Sequence, residues 1–534
     1  MVATSLRIMI HDLRFKIGRW IGNNRAEFVL LLIILLIGAF FRLYRIDEYM
    51  VFLGDEGRDV IIVRRLLVNF DPILVGPGTS IGNMYLGPLY YYMMAPALVL
   101  ANFSPVGPAI MIALLGVATI FFVWYAARTL FPTIYSIQGR TLQVGALAAA
   151  LLYAISPTAI IFSRSSWNPN IMPFFALLTT WSVWKVWKEQ NFMWLIILGI
   201  SFAFVLNSHY LGLLLLPVIF VYLLKSFVTT QGRDRVRFIK YFLISLGIFA
   251  FLMSPLVIFD ARHEFRNFKA MQEFVIHRES SFKGIGEAVS SISMVYTNMF
   301  TRLIGGRNEI VGFVVAVVAF ILSTIMIYIN VVRRKFSSPI LLVFLWIVVG
   351  VVGLAFVERE IYDHYMGFLF PAPFLLLAAL AKETQYLILK TKNIKYLVFS
   401  IQCLVLGLLV IANIASSPLK DNPSRQLQRS IAVAKKIIEE ASGERFNLAV
   451  LAESNYEDGY KYFLEYKGAD VKHADIWDKS TISDILFVVC EKPKDECKPS
   501  TDSKAEVANF GMSEIDEEWE VGGVVLYKLV HTKI

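Results

Sequence analysis

Six consecutive residues, Gly54-Asp55-Glu56-Gly57-Arg58-Asp59, bring carboxylates and a guanidinium together just past the first long apolar run. A carboxylate can take a proton from a weak nucleophile, and an arginine beside it can clamp an anion such as a phosphate. The same residues also suit the first turn of a solvated helix, where acidic side chains are favoured. Further polar groups gather at the ends of other apolar runs. Arg164, Asn168 and Asn170 lie in Ser163-Arg164-Ser165-Ser166-Trp167-Asn168-Pro169-Asn170. His209 and Tyr210 follow Asn207-Ser208, Arg262 and His263 follow Asp260, and Arg359 precedes Tyr362-Asp363-His364-Tyr365. The arginines could meet an anion or snorkel to lipid headgroups. The two asparagines could bond ligand hydroxyls or cap a helix. Asp363 could orient His364, or the two could join Asp55 around a divalent metal ion, for which so few spaced ligands are weak evidence.

The elements that must position these groups are membrane spans. The chain has 534 residues, 57% hydrophobic, with a mean hydropathy of +0.60. Soluble domains average roughly 45–50% apolar, so the excess asks for a bilayer. Apolar runs at 27–43, 106–128, 142–162, 170–187, 192–208, 209–225, 238–259, 309–332, 338–357, 364–382 and 394–414 predict about eleven crossings. The stretch 85–103 decides the topology. If it lies on the surface, every strongly basic short loop falls on the side of the basic N-terminus, as the positive-inside rule asks. Its Pro88, Pro96 and cluster of tyrosines fit a juxtamembrane helix. The net charge of +9 is then a topology signal, and a nucleic-acid partner is not expected. Within the spans ionisable groups are scarce away from the ends, which disfavours an ion-coupled transporter.

These assignments make residues 1–26 a cytoplasmic segment with an amphipathic face (Leu6, Met9, Leu13, Ile17, Trp20), followed by a retained anchor with no cleavage site. Residues 27–415 form the membrane part, with 44–105 as its first outer loop. From about 420 to 534 charges become frequent and short strand and helix patterns alternate: strands at 446–452, 484–490 and 523–530, and a helix near 456–466. The expected architecture is mainly α, a polytopic helical bundle with a small extracytoplasmic α/β domain at its C-terminus. Cys490 and Cys497 in that domain could pair or remain two free thiols.

The hexapeptide, the helical pattern after it, the Pro/Gly-rich loop at 72–78 and Pro88-Leu89-Tyr90-Tyr91 follow one another in an order that resembles the GT-C-fold glycosyltransferases. The resemblance is to the branch of protein O-mannosyltransferases and lipid A aminoarabinose transferases, and runs over about residues 25–415. It implies an integral plasma-membrane enzyme of the cell envelope. The donor would be a sugar on polyprenyl or dolichyl phosphate, passed with inversion to a hydroxyl on lipid, glycan or protein. Asp55 would be the general base. Glu56, Arg58, Tyr91, Arg164, Asn168, Asn170, His209, Tyr210, Arg262, His263, Arg359, Asp363 and His364 would contact substrate. The resemblance fixes no cofactor beyond the lipid-linked sugar as co-substrate: some relatives use a divalent ion and others do not. One departure stands out: Leu86 and Gly87 occupy the positions where aminoarabinose transferases carry an acidic-basic pair, which disfavours aminoarabinose transfer to lipid A. Two other readings compete, a flippase for a lipid-linked glycan and a ligase that uses a diphosphate-linked oligosaccharide.

Overall fold

The computed structural model describes residues 18–532 apart from 80–83, 133–134, 138–139, 277–281, 336–337, 359 and 391–394. The amphipathic face expected over 5–21 therefore falls, except for Trp20, outside the described residues, as does Arg359.

Each expected span coincides with a helix or an adjoining pair of helices. Arg25–Leu43, Val106–Leu130, Tyr210–Thr229, Gly232–Arg262 and Glu309–Val332 are each long and apolar enough to cross a membrane. Asp363–Leu369 and Pro371–Thr384 make a sixth if that pair, bent by 49°, counts as one. Shorter apolar helices, among them Val144–Ile155, Trp194–Ser208 and Pro339–Ala355, pack between them. Leu89–Leu100 has 12 residues, about 18 Å of helix, well short of a hydrocarbon core of roughly 30 Å. That length suits a helix lying at the surface. Tyr90, Tyr91, Met94 and Leu98 are its buried side.

Several helices are broken at one end of the bundle. Pro157 follows Ser156 and interrupts the run 142–162. Tyr210–Leu215 and Asp363–Leu369 are turns of 3-10 helix that lead into Leu216–Thr229 and Pro371–Lys390. Such breaks free backbone groups that a lipid-facing helix would have to satisfy, so they belong where protein surrounds them. Arg42 does part of that work. It is fully buried, and its guanidinium donates to the carbonyls of Gly38, Ala154 and Tyr153 at 3.1, 2.9 and 3.3 Å.

Beyond Lys395–Ala415 the chain forms a five-stranded sheet. The spatial order is Val471–Lys472, Phe446–Leu451, Ile485–Cys490, Val524–His531, Ser513–Val521. The first three strands run parallel and the last two antiparallel. Phe446–Leu451 and Ile485–Cys490 are buried along their whole length, as strands covered on both faces must be. Helices Gln426–Ala441 and Asp458–Tyr466 cover one face through Val433, Ile437 and Leu464, and Val507 and Phe510 cover the other. The expected strands at 446–452, 484–490 and 523–530 are all present. The edge strand Ser513–Val521 was not anticipated: its sequence is acidic and mostly exposed, and the alternation of Ile515, Trp519 and Val521 with acidic residues is interrupted at Glu517. Cys490 and Cys497 form a disulfide.

Candidate functional site

Helix Gly54–Asn69 carries the acidic cluster in its first turns. Leu53 is extended, and its N–H donates to Glu56 Oε2 at 3.0 Å, so Glu56 is spent on closing the helix start. Successive carboxylates then meet different environments. Glu56 is buried, and burial pushes its carboxyl up to about 7. Asp59 is fully buried too, and burial raises it against the pull of Arg58. It accepts from Arg58 Nη2 at 2.8 Å and from the Tyr91 hydroxyl at 2.9 Å. Asp55 is different: its side chain is 41% exposed. Its Oδ1 accepts from Arg58 Nη1 at 2.8 Å and from the hydroxyl of Tyr456.

Asp55 borders a cavity of about 240 Å³ lined also by Leu53, Phe162, Ser165, Trp167, Asn170, Ser454 and Tyr456. Its floor is the broken end of the helical bundle, and its roof comes from the C-terminal domain. The roof is the loop after strand Phe446–Leu451, at the carboxyl end of a parallel strand, where open α/β sheets bind ligands. Asn455 fixes that loop: its Oδ1 accepts from Gly54 N at 2.9 Å and its Nδ2 donates to Glu491 at 2.6 Å. Glycines permit the close approach. A Cβ on Gly54 would lie 2.5 Å from the Tyr456 ring, and one on Gly57 would lie 2.3 Å from the backbone of Asp458 and Gly459.

The other expected site residues divide into two groups. Asn170 lines the cavity with Asp55, Arg58 bonds Asp55 from behind, and Tyr91 stands further back on Asp59. Asn170 Nδ2 donates to Ser165 O at 2.8 Å, while its buried Oδ1 has no partner. His364 packs on Trp167 and Phe162 with ring centres at 4.6 and 6.4 Å, and His209 stands 6.0 Å from His364. The remaining residues are engaged elsewhere. Arg164 is buried and donates to the carbonyls of Phe41 and Tyr44, the latter at 2.7 Å, and burial lowers its pKa to about 10. It closes the C-terminal end of the first helix and does not line the cavity. Asn168 is held on Ser208 O at 2.8 Å. Tyr210 donates to Tyr85 O. Arg262 and His263 are exposed at the end of helix Gly232–Arg262, and His263 stacks on Phe259. Asp363 pairs with Arg307 and, at 3.5 Å, with Arg302. Asp55, Asp363 and His364 do not gather as metal ligands among the described residues.

Sequence reading missed three contributors. Tyr456 reaches Asp55 across 401 residues of chain, a contact that only tertiary structure creates. Arg302 and Arg307 lie on and after helix Ile285–Leu303, in the stretch between the expected spans 238–259 and 309–332. That helix has buried Val295, Met299, Phe300 and Leu303 spaced for one face, a signal that could have found it. Arg307 Nε donates to Thr158 Oγ1 at 3.3 Å, which ties this basic pair to the broken helix bearing Ile161, a cavity-lining residue. Gly87 admits the Asn207 amide, whose Oδ1 would lie 2.0 Å from a Cβ there.

Residues 86–259 match the family described as dolichyl-phosphate-mannose-protein mannosyltransferase. No curated protein matches the sequence. Among solved structures, the fold is similar to ArnT from Cupriavidus metallidurans bound to undecaprenyl phosphate, with a TM-score of 0.58 and 14% identity over 94% of this chain and 97% of that one. It is similar also to ArnT in the apo state, with a TM-score of 0.55 and 14% identity over 94% and 98%. The chain therefore has the GT-C fold that ArnT has, the fold read from Asp55-Glu56 and Pro88–Tyr91.

Proposed function

We propose that the chain is an inverting glycosyltransferase that moves a sugar from a polyprenyl-phosphate donor to a hydroxyl acceptor at the outer membrane surface. One observation carries this reading: of the three carboxylates in Asp55-Glu56-Gly57-Arg58-Asp59, Asp55 and Glu56 border the cavity and Asp55 alone is substantially exposed, Glu56 being held on Leu53 N. In the proposed step the acceptor hydroxyl gives its proton to Asp55 as its oxygen bonds to the anomeric carbon. The bond from that carbon to the phosphate oxygen breaks, and polyprenyl phosphate leaves with the electron pair. A phosphate leaves without a proton but needs positive charge as the bond opens, which argues for arginines over a second, acid carboxylate. Arg58 is already drawn to Asp55 and Asp59, so its charge sits beside the base. Arg302 and Arg307, 45% and 33% exposed, share the single carboxylate of Asp363, so this pair keeps net positive charge and offers the better candidates for the phosphate. The match over 86–259 and the undecaprenyl phosphate in the ArnT structure support a lipid-phosphate donor.

The same reading makes 1–26 a cytoplasmic segment, 27–415 the transmembrane catalytic part and 420–534 an extracytoplasmic domain. The Cys490–Cys497 disulfide supports the last assignment, since such bonds persist in oxidising compartments. The test is a transfer assay with purified protein, polyprenyl-phosphate sugars of several types and membrane extract as acceptor. Wild type releases free polyprenyl phosphate and Asp55→Asn does not. Consumption or movement of a diphosphate-linked glycan, with no release from any monophosphate donor, would replace this reading with the ligase or the flippase.

A further inference from the structure

The C-terminal domain holds a second group of chemistry-bearing residues, outside the cavity. Glu457, His473 and Glu506 come from three separate places: the loop before helix Asp458–Tyr466, the residue after strand Val471–Lys472, and helix Ala505–Phe510. One donor atom from each lies within 4.8 Å of the other two. Glu506 is the informative member. It is only 8% exposed, and its Oε2 has no hydrogen-bond partner. A buried carboxylate oxygen without a partner is costly, and the usual remedies are a donor or a cation.

We propose that Glu457, His473 and Glu506 bind one divalent transition-metal ion. The donor set is one imidazole and two carboxylates, which suits Zn²⁺ or Mn²⁺ better than Ca²⁺ or Mg²⁺, whose sites are built from oxygen alone. Two carboxylates neutralise the charge of the ion, and water completes its coordination. Donors on a common ion ~2.1 Å away sit roughly 3.4–4.2 Å apart, so the present spacing closes with small side-chain movements. His473 is exposed and Glu457 half-buried, so the ion reaches the site from solvent. The position gives the ion a structural consequence. Glu457 directly follows Tyr456, whose hydroxyl binds Asp55, and Asn455 is already anchored on Gly54 and Glu491. An ion on Glu457 fastens the other end of that loop to two further elements of the domain. This site stands independently of the sugar-transfer reading.

Zn²⁺ alone is the probe. Full-length protein carrying a histidine-free affinity tag is stripped with a chelator, then titrated with Zn²⁺ against a chromophoric competitor. Wild type and Asp55→Asn each take up the same tight equivalent. His473→Ala, a change at an exposed position, loses that equivalent or binds it roughly tenfold or more weakly, and its melting temperature no longer rises with Zn²⁺. Glu506→Gln gives the same loss of binding. Equal uptake and affinity in wild type, His473→Ala and Glu506→Gln overturns the proposal, and so does a wild type that binds no Zn²⁺.

Discussion

At the scale of single residues, neighbouring carboxylates separate into different jobs because their burial differs. Asp55 is open to the cavity, Glu56 closes a helix start, and Asp59 anchors Arg58 and Tyr91. Asp55→Asn keeps the shape and an acceptor for Arg58 but removes the base. It should lower transfer by about 10²–10⁴-fold while leaving the melting temperature within a few degrees of wild type, which turnover and thermal unfolding of the same preparation would check. Glu56 gives a pH signature instead. Its folded-state carboxyl is raised from 4.5 to about 7 by burial, so the folded state holds the proton more tightly than the unfolded chain. The stability from this group is present below about pH 4.5 and is lost as pH rises toward 7, on the order of 3 kcal/mol in all. Glu56→Gln stays neutral throughout and can still accept from Leu53 N. Its melting temperature should therefore gain on wild type between pH 5 and pH 8, and parallel curves would show that Glu56 does not titrate there.

At the scale of elements, the helix Gly54–Asn69 acts by what it allows to approach. Gly57 sits against the backbone of Asp458 and Gly459, so Gly57→Ala must push the helix and the C-terminal domain apart. Overpacking of this kind costs roughly 1–3 kcal/mol and should cut transfer strongly, because it shifts Tyr456 off Asp55. Gly247→Ala, inside helix Gly232–Arg262 with open space around it, should leave transfer unchanged and raise stability by at most about 1 kcal/mol. Comparing the two variants by thermal unfolding and turnover tests whether close contact, and not glycine content, matters. The same elements show what was legible in the sequence. Asp55-Glu56 and Pro88–Tyr91 are contiguous, so their pattern survives in one dimension, and long apolar runs mark helices by the cost of unsatisfied backbone in lipid. The breaks at Ser156-Pro157 and over Tyr210–Leu215 were hidden inside apolar runs that read as continuous. Arg164 and Asn168 looked available because sequence shows their polarity but not the carbonyls that occupy them.

At the scale of the whole molecule, the cavity exists only where two bodies of the chain meet. Met50, Phe52, Val60 and Val63 pack with helix Leu89–Leu100 and with Leu427 and Tyr462 in one buried cluster, so the C-terminal domain shares a core with the region bearing Asp55. Polar contacts add direction: Phe52 N donates to Gln426 Oε1 at 3.0 Å, Tyr49 to Asp421 O at 2.9 Å, and Tyr462 to Phe103 O. The surface pair Arg65–Glu465 at 2.9 Å also crosses this boundary, but exposed ion pairs of this kind contribute only about 0–1 kcal/mol, so apolar burial dominates the joint. A domain that merely selected the acceptor would leave a functional base behind when removed. Here its removal takes away the roof, Tyr456 and the partner of Gly54 N, and uncovers Phe52 where it packs on Phe463. Deletion of 420–534 should therefore abolish transfer to every acceptor alike. Tyr456→Phe in the full chain should keep transfer at a lower rate, because one hydrogen bond to Asp55 is gone while the roof remains. Assaying both variants with two chemically different acceptors separates the cases. A truncated protein that still serves one acceptor would make the domain a specificity module, and an unchanged rate in Tyr456→Phe would leave Arg58 as the group that holds Asp55 in place.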